Sequence, residues 1–206
     1  MIATWEAIFP TPILRTNIAR EFTEKELRFF EQAQNNVCPN VLNSRSVDTY
    51  VLDTPEMRSI RAFTLEHVTQ FRKKTISVND QLEFYITQSW INYTQPGQSH
   101  HRHIHTNSLV SGVLYISAVK EIDRIYFYRA LPAGISVGNT EQNWYTADSW
   151  FFSVGAGDLI LFPSNLAHGV EKATGRHIRV SLSFNTFVKG EIGVKENLNG
   201  LKLGRL

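Results

Sequence analysis

Cysteine is almost missing from this sequence: Cys38 stands alone among 206 residues. That excludes an internal disulfide and suits a reducing compartment. No apolar stretch is long enough to span a bilayer, and no basic-then-apolar leader opens the chain. The expected address is therefore cytoplasmic, with no membrane partner. Neither sign of charge dominates, since Lys and Arg number 21 against 19 Asp and Glu, a formal net charge of +2. No cluster of Lys and Arg is dense enough to announce nucleic-acid binding. Internal repeats and low-complexity segments are missing too. What remains is a composition of 42% hydrophobic and 19% charged residues, ordinary for a globular protein. The length suits one domain with a real core, and is too short for two comfortable ones.

The first part of that domain, residues 1–80, reads as an extended segment and two supporting helices. Ile8-Phe9-Pro10-Thr11-Pro12-Ile13-Leu14 is extended, because each proline holds its predecessor away from helix. Thr23 followed by Glu26 makes a capping box, with Phe22 and Leu27 as a hydrophobic staple. Leu27, Phe30 and Ala33 then follow at helical spacing. Residues 35–53 read as loop. Thr54-Pro55 starts a second helix, whose apolar stripe is Met57, Ile60, Phe63, His67 and Phe71. On such a stripe His67 is a core or boundary histidine without chemistry. Both helices are expected to pack outside a β core and to carry no catalytic residue.

From residue 81 the period changes to two. Leu82, Phe84, Ile86 and Trp90 alternate with Glu83, Tyr85, Thr87 and Ser89. Further strands are expected at Leu109–Ser117, Arg124–Arg129, Ser149–Val154, Asp158–Pro163 and His177–Val188. So many short strands after two helices predict a mainly β fold with flanking α-helices, a sandwich or barrel core over 81–188. Residues 189–206 read as a loosely attached C-terminal tail.

Four of the seven histidines fall between positions 100 and 105. In an extended backbone, residues two apart share a face, so His103 and His105 present two imidazoles side by side. Neutral imidazole is a ready ligand for a divalent first-row metal. His168, about sixty residues on and directly after another apolar run, is a candidate third ligand. His101 with His103 is the alternative pair, leaving His105 behind the ligands. A plain polar loop is the reading without chemistry.

In RHIRVSLSFNTF, Ile178, Val180, Leu182 and Phe184 make one apolar face, and His177, Arg179, Ser181, Ser183 and Asn185 the other. A solvent-facing strand shows the same alternation. This polar face, however, lacks Lys and Glu, and it follows His168 closely. An inward-facing Arg179 with Ser181 two residues on is a carboxylate receptor, because guanidinium offers a planar fork to two oxygens.

The order His-x-ligand, His, then Arg-x-Ser on the last strand resembles the iron(II)- and 2-oxoglutarate-dependent oxygenases. More narrowly, Trp90-Ile91-Asn92, Pro96-Gly97, HIHTNSLVSGVLYI, GDLILFPSNLAHGV and RVSLSFN resemble a group of such oxygenases from bacterial and phage genomes. With FPTPIL near the N-terminus, the resemblance covers roughly residues 7–188. It implies a double-stranded β-helix, a jelly-roll variant shared with cupins. It also implies an Fe(II) site at His103, His105 and His168, with 2-oxoglutarate and O2 as cosubstrates. Arg179 and Ser181 match the residues that hold the distal carboxylate of 2-oxoglutarate, and Asn92 and Tyr115 match looser contacts to it.

The departure is at His105, where the wider superfamily has Asp or Glu. A neutral third ligand takes one negative charge from the metal, weakening its hold and altering its redox potential. Hydroxylation of a substrate C–H bond, with release of succinate and CO2, is the implied reaction. Related enzymes that chlorinate have a small residue at that position, and His105 is not small. Two other readings stay open: a cupin-like three-histidine enzyme that does not use 2-oxoglutarate, and a non-catalytic jelly-roll binding protein. The substrate is small-molecule or peptide, and the oligomeric state is open, a homodimer included. Loops 35–53 and 130–148 are expected to roof the site, with Trp144, Tyr145 and Trp150 as stacking surfaces or rim packing.

Overall fold

The structure is a computed structural model, and it describes residues 3–76, 82–129, 141 and 143–204. Among them run two helices and twelve strands. The first strand, β1, is Leu14–Asn17, beginning at the last residue of the segment expected to be extended. Helix α1 spans Glu24–Gln34 and has the expected capping box: Thr23 Oγ1 accepts from the Glu26 N–H, and the Glu26 carboxylate accepts from the Thr23 N–H at 2.8 Å. The staple differs. Leu27 is exposed, and the Phe22 ring instead meets Phe30 edge-on, 6.2 Å between centroids. Phe30 is one turn further along, on the face that reaches the core.

Residues 35–53 are not plain loop. Strands β2 (Val37–Pro39) and β3 (Ser44–Ser46) form a short hairpin, and β3 pairs with the long strand β4 (Glu83–Thr94). Three-residue strands carry too little alternation to be read from sequence. Thr54 caps no helix: its hydroxyl donates to Val51 O, and Pro55–Met57 forms a 3-10 turn before α2 begins at Arg58 and runs to Thr75. The buried line of α2 includes Ile60, Thr64, Val68 and Phe71. Phe63 and His67 lie half-buried beside it, the imidazole Nδ1 2.9 Å from Phe63 O.

The remaining strands are β5 (His100–His103), β6 (Val110–Ser117), β7 (Arg124–Tyr128), β8 (Ser149–Ser153), β9 (Asp158–Pro163), β10 (His168–Val170), β11 (Arg179–Ile192) and β12 (Leu201–Leu203). They build two antiparallel sheets. The larger has the order β1-β9-β6-β11-β4-β3-β2, with β12 paired on to β11; the smaller is β5-β10-β7-β8. The expected tail is thus partly ordered: β11 continues past Lys189 to Ile192, and β12 returns along it.

Alternation sorts the large sheet into two faces. Ile91, Tyr93, Leu114, Leu182 and Phe184 pack with Phe30, Ile60, Val68 and Phe71 of the helices in one core. Gly112 sits here because a Cβ would run into the Phe184 ring and the Leu161 side chain. The opposite face, with Val113, Tyr115, Ile160 and Phe162, meets Ile125 and Phe127 of the small sheet in a second cluster. One register irregularity matters. Asn185 lies opposite Gln88 and Thr186 opposite Ile86, so Thr87 has no counterpart on β11. Such a bulge reverses the parity of the strand. Phe84 and Ile86 face the helices, but so do Ser89, Ile91 and Tyr93, which turns Trp90 inward, away from the face that simple alternation gives it.

Candidate metal centre

The two faces of the large sheet differ in what they hold, and the chemistry lies on the inner one. Asn92, Ser181 and Tyr115 are cross-strand neighbours in one row of β4, β11 and β6, and Trp90, Ser183 and Val113 form the next. With Thr94, Arg179 and Phe162 of β9 they wall a cleft, closed on the far side by His100, His103, His105, His168 and Ile125. His103, His105, His168, Arg179, Ser181, Asn92 and Tyr115, singled out in the sequence for metal or cosubstrate, are all in that wall; the alternative ligand His101 is not.

The small sheet assembles the histidines. β10 pairs with β5 so that His168 lies directly opposite His103. His105 follows β5, pinned by its N–H to Ser164 O at 2.9 Å. One nitrogen from each of His103, His105 and His168 falls within 4.8 Å of the others. A second grouping, His100, His101 and His103, meets the same distance. His101 is outside the cleft wall, however, and its buried Nδ1 has no hydrogen-bond partner. The grouping that shares a cavity with Arg179 is the one expected from sequence.

Protonation favours ligation there. Burial pushes His168 down to about 3 and His105 to about 4, helped by the neighbouring imidazoles, and it lowers His103 as well. Neutral rings keep a lone pair, which is what a metal requires. The backbone then chooses the nitrogen. His103 Nδ1 lies 2.8 Å from His101 O and His168 Nδ1 2.9 Å from Leu166 O. A carbonyl only accepts, so each ring carries its proton on Nδ1 and keeps the Nε2 lone pair for a ligand. The donor set fits a first-row divalent ion: three imidazole nitrogens, with no carboxylate among them.

Arg179 and its surroundings are more constrained than the sequence suggests. The guanidinium is 4% exposed, and Asp123, itself 2% exposed, stands 3.4 Å from its Nη1. Asp123 also accepts from the Val119 N–H at 2.8 Å and faces His177 Nε2 at 2.7 Å. Sequence reasoning missed this anion, since a lone Asp in a tight β6–β7 turn has no signature. It missed Trp90 because of the bulge, and His100, stacked on His103 at 4.7 Å and 12°, because a run of histidines does not say which rings point inward. Asn92 donates to Ser183 Oγ at 3.0 Å, while its Oδ1 is buried without a partner. Burial raises the Tyr115 hydroxyl well above its ordinary value, keeping it a neutral donor.

None of residues 35–53 lines the cleft. Residues 130–140 and 142 of the other expected roof lie outside the described residues. Trp144 and Trp150 are exposed and meet each other at 5.8 Å between centroids, away from the cleft wall.

Comparison with known proteins agrees with this picture. Residues 88–185 match the family model described as "Putative 2OG-Fe(II) oxygenase". Among curated proteins, none matches the sequence. Solved structures do. A 2OG-Fe(II) oxygenase family oxidoreductase from Burkholderia pseudomallei is 14% identical with a TM-score of 0.57, over 84% of this chain and 83% of that one. HygX from Streptomyces hygroscopicus, solved with nickel and 2-oxoglutarate, is 11% identical with a TM-score of 0.59, over 85% and 82%. A prolyl-4-hydroxylase from Pseudomonas putida is 15% identical with a TM-score of 0.54, over 85% and 92%. At such identities the likeness carries the fold, a double-stranded β-helix.

Proposed function

We propose, from the match of residues 88–185 to the 2OG-Fe(II) oxygenase family model, that the chain is an oxygenase of this kind, a hydroxylase whose iron(II) is held by His103, His105 and His168. When bound there, iron(II) with 2-oxoglutarate and O2 supplies oxidative decarboxylation to succinate and CO2, coupled to oxygenation of a substrate C–H bond. The chain's own residues do the rest. Backbone carbonyls at His101 and Leu166 aim two imidazoles. Arg179 and Ser181 take the distal carboxylate of 2-oxoglutarate, and Asn92 and Tyr115 border the rest of the molecule. The apolar walls, Ile125, Val113 and Phe162, keep bulk water out.

One observation carries this reading. Guanidinium has five N–H donors, yet the single long contact from Nη1 to Asp123 is the one hydrogen bond Arg179 makes among the described residues. Arg179 lines the same cleft as the three imidazoles, and a buried cation with few partners is costly until an anion meets it.

Asp123 also favours a second reading. If it satisfies Arg179 fully, the arginine is structural and the site is a cupin-like three-histidine centre that does not use 2-oxoglutarate. Turnover separates the two. Iron-loaded protein in air consumes 2-oxoglutarate and forms succinate in equal amount on the first reading, and His168→Ala abolishes both. Absence of succinate from protein shown to hold iron overturns it. HygX was solved with hygromycin B, and a Trichoplax adhaerens prolyl hydroxylase with a peptide fragment. A small-molecule or peptide substrate suits the open cleft here.

A further inference from the structure

Two of the three imidazoles have a carbonyl oxygen at Nδ1; His105 does not. Its Nδ1 faces the side-chain amide of Asn185, with Nδ2 3.5 Å away. Asn185 shares the inner face of β11 with Arg179, Ser181 and Ser183 and stands opposite Ser111 of β6. An amide N–H directed at Nδ1 requires a lone pair on that nitrogen, which leaves the ring proton on Nε2. That is the nitrogen by which the other two histidines present themselves. The amide turned by half a rotation offers Oδ1 instead, holds the proton on Nδ1 and frees Nε2.

What the amide's other end meets decides whether that turn is allowed. Ser111 Oγ lies 2.8 Å from Asn185 Oδ1 and 2.8 Å from Ser164 Oγ. Ser164 Oγ is 2.7 Å from Ser108 Oγ, which reaches Thr186 O at 3.1 Å and accepts from the Thr186 N–H at 3.3 Å. A hydroxyl both donates and accepts, so this chain can run in either direction, but only one direction leaves Ser108 free to donate to Thr186 O. In one polarity Ser108 donates to Ser164, Ser164 to Ser111, and Ser111 to Oδ1, and His105 keeps its proton on Nε2. In the other, Asn185 Nδ2 donates to Ser111, Ser111 to Ser164, Ser164 to Ser108, and Ser108 to Thr186 O. The second polarity ends on a main-chain acceptor and leaves Oδ1 for the His105 Nδ1–H.

We propose that Asn185 is a positioning residue for the metal centre: its amide, turned by the Ser111–Ser164–Ser108 chain, selects the tautomer in which His105 ligates through Nε2. The proposal rests on the reading that His105 is a ligand. It explains how a third histidine works where the same burial offers no backbone carbonyl. It also gives an otherwise unremarked serine cluster a task at the metal.

Zinc(II) is the probe, its affinity measured by competition with a chromophoric chelator on the full chain. Asn185→Leu removes the acceptor and weakens zinc binding about 10- to 100-fold, the usual effect of losing a group that orients a ligating histidine. Asn185→Asp offers an acceptor only, with a negative charge, and tightens binding by about tenfold. Opposite signs from two substitutions at one position are not what a merely structural residue gives. Long-range 1H–15N spectra supply the second readout: His105 carries its proton on Nδ1 in the zinc form of the wild type, and in Asn185→Asp even without zinc. Should Asn185→Leu fail to fold, Asn185→Asp and the spectra decide alone. His105→Ala, measured alongside, keeps the two ideas apart. If it leaves zinc affinity unchanged, His105 is no ligand and both fall. If it weakens binding while Asn185→Asp equals wild type and the tautomer does not respond, only the role of Asn185 is overturned.

Discussion

The two faces of the large sheet are made by the same strands, residue by alternate residue, and have opposite properties. On the helix side, Ile91, Leu114, Leu182 and Phe184 are fully buried in an apolar core that α1 and α2 complete. On the inner side, the intervening Asn92, Tyr115, Arg179, Ser181 and Ser183 are nearly as buried but bring amide, hydroxyl and guanidinium groups into a cleft. Burial alone therefore does not separate core from site. The separation lies in what the buried groups have to bond with. The apolar face is satisfied by packing, whereas on the inner face Asn92 Oδ1 is buried without a partner and the Arg179 guanidinium has one long contact, to Asp123.

Substitutions on each face are expected to break different things. The largest effect falls on the metal. His168→Ala removes a proposed ligand, so iron(II) affinity is expected to fall by well over the roughly hundredfold that loss of an orienting partner causes, with a loss of stability as well, because its buried ring packs on Phe162 and Phe127. Its counterpart is Phe184→Ala, which stands back to back with Ser183 and Asn185. That change costs about 3–5 kcal/mol of stability, read from urea unfolding, and leaves the imidazoles in place in whatever fraction stays folded.

Arg179→Gln comes next. 2-Oxoglutarate binding weakens by about 2–5 kcal/mol, the usual cost of truncating one partner of a buried charge pair. Arg179→Lys, which keeps the charge and loses the fork, falls in between. Iron content stays at the wild-type level in both, as measured by metal analysis of the folded protein.

A smaller effect is expected at the helix side's own ion pair. Burial works to raise Glu26, but the Arg20 guanidinium and the Thr23 N–H outweigh it and hold the carboxyl below its ordinary value. A depressed carboxylate contributes stability that is present above the unfolded-state value and is lost as pH falls through the folded one. Glu26→Gln is therefore expected to lose about 1–3 kcal/mol near neutrality, with a gap to wild type that closes on acidification, followed by melts between pH 7 and pH 3. The cleft does not register the change. Smallest of all, His67→Asn costs about 1 kcal/mol or less and leaves turnover intact. A large loss of turnover from folded His67→Asn would contradict the assignment of the helices to support alone.

The contrast between the faces also explains what the sequence disclosed. In β11 the period of two is unbroken from Ile178 to Phe184, and it announced both faces, with Arg179 and Ser181 inward. His103 and His105 were legible from their spacing and His168 from its place after an apolar run. Their meeting depends on the β5–β10 register, which nothing local encodes. Trp90 was misplaced because a single unpaired residue, Thr87, reverses the parity that the reading assumed. Strands of three residues, β2, β3 and β10, are too short for any period to emerge. Asp123 and Asn185 carry no motif. Each matters only through a partner more than fifty positions away, respectively Arg179 and His105.

Anaerobic titration tests whether the cleft holds iron(II) at three histidines beside a 2-oxoglutarate receptor. Iron(II) is added to the protein with 2-oxoglutarate, and the weak visible metal-to-ligand charge-transfer band is followed. The expected result is a band that saturates at one iron per chain, vanishes in His168→Ala, and in Arg179→Gln returns only at much higher 2-oxoglutarate. One bound iron(II) with no such band at any 2-oxoglutarate concentration would mean that the cleft does not bring 2-oxoglutarate to the metal.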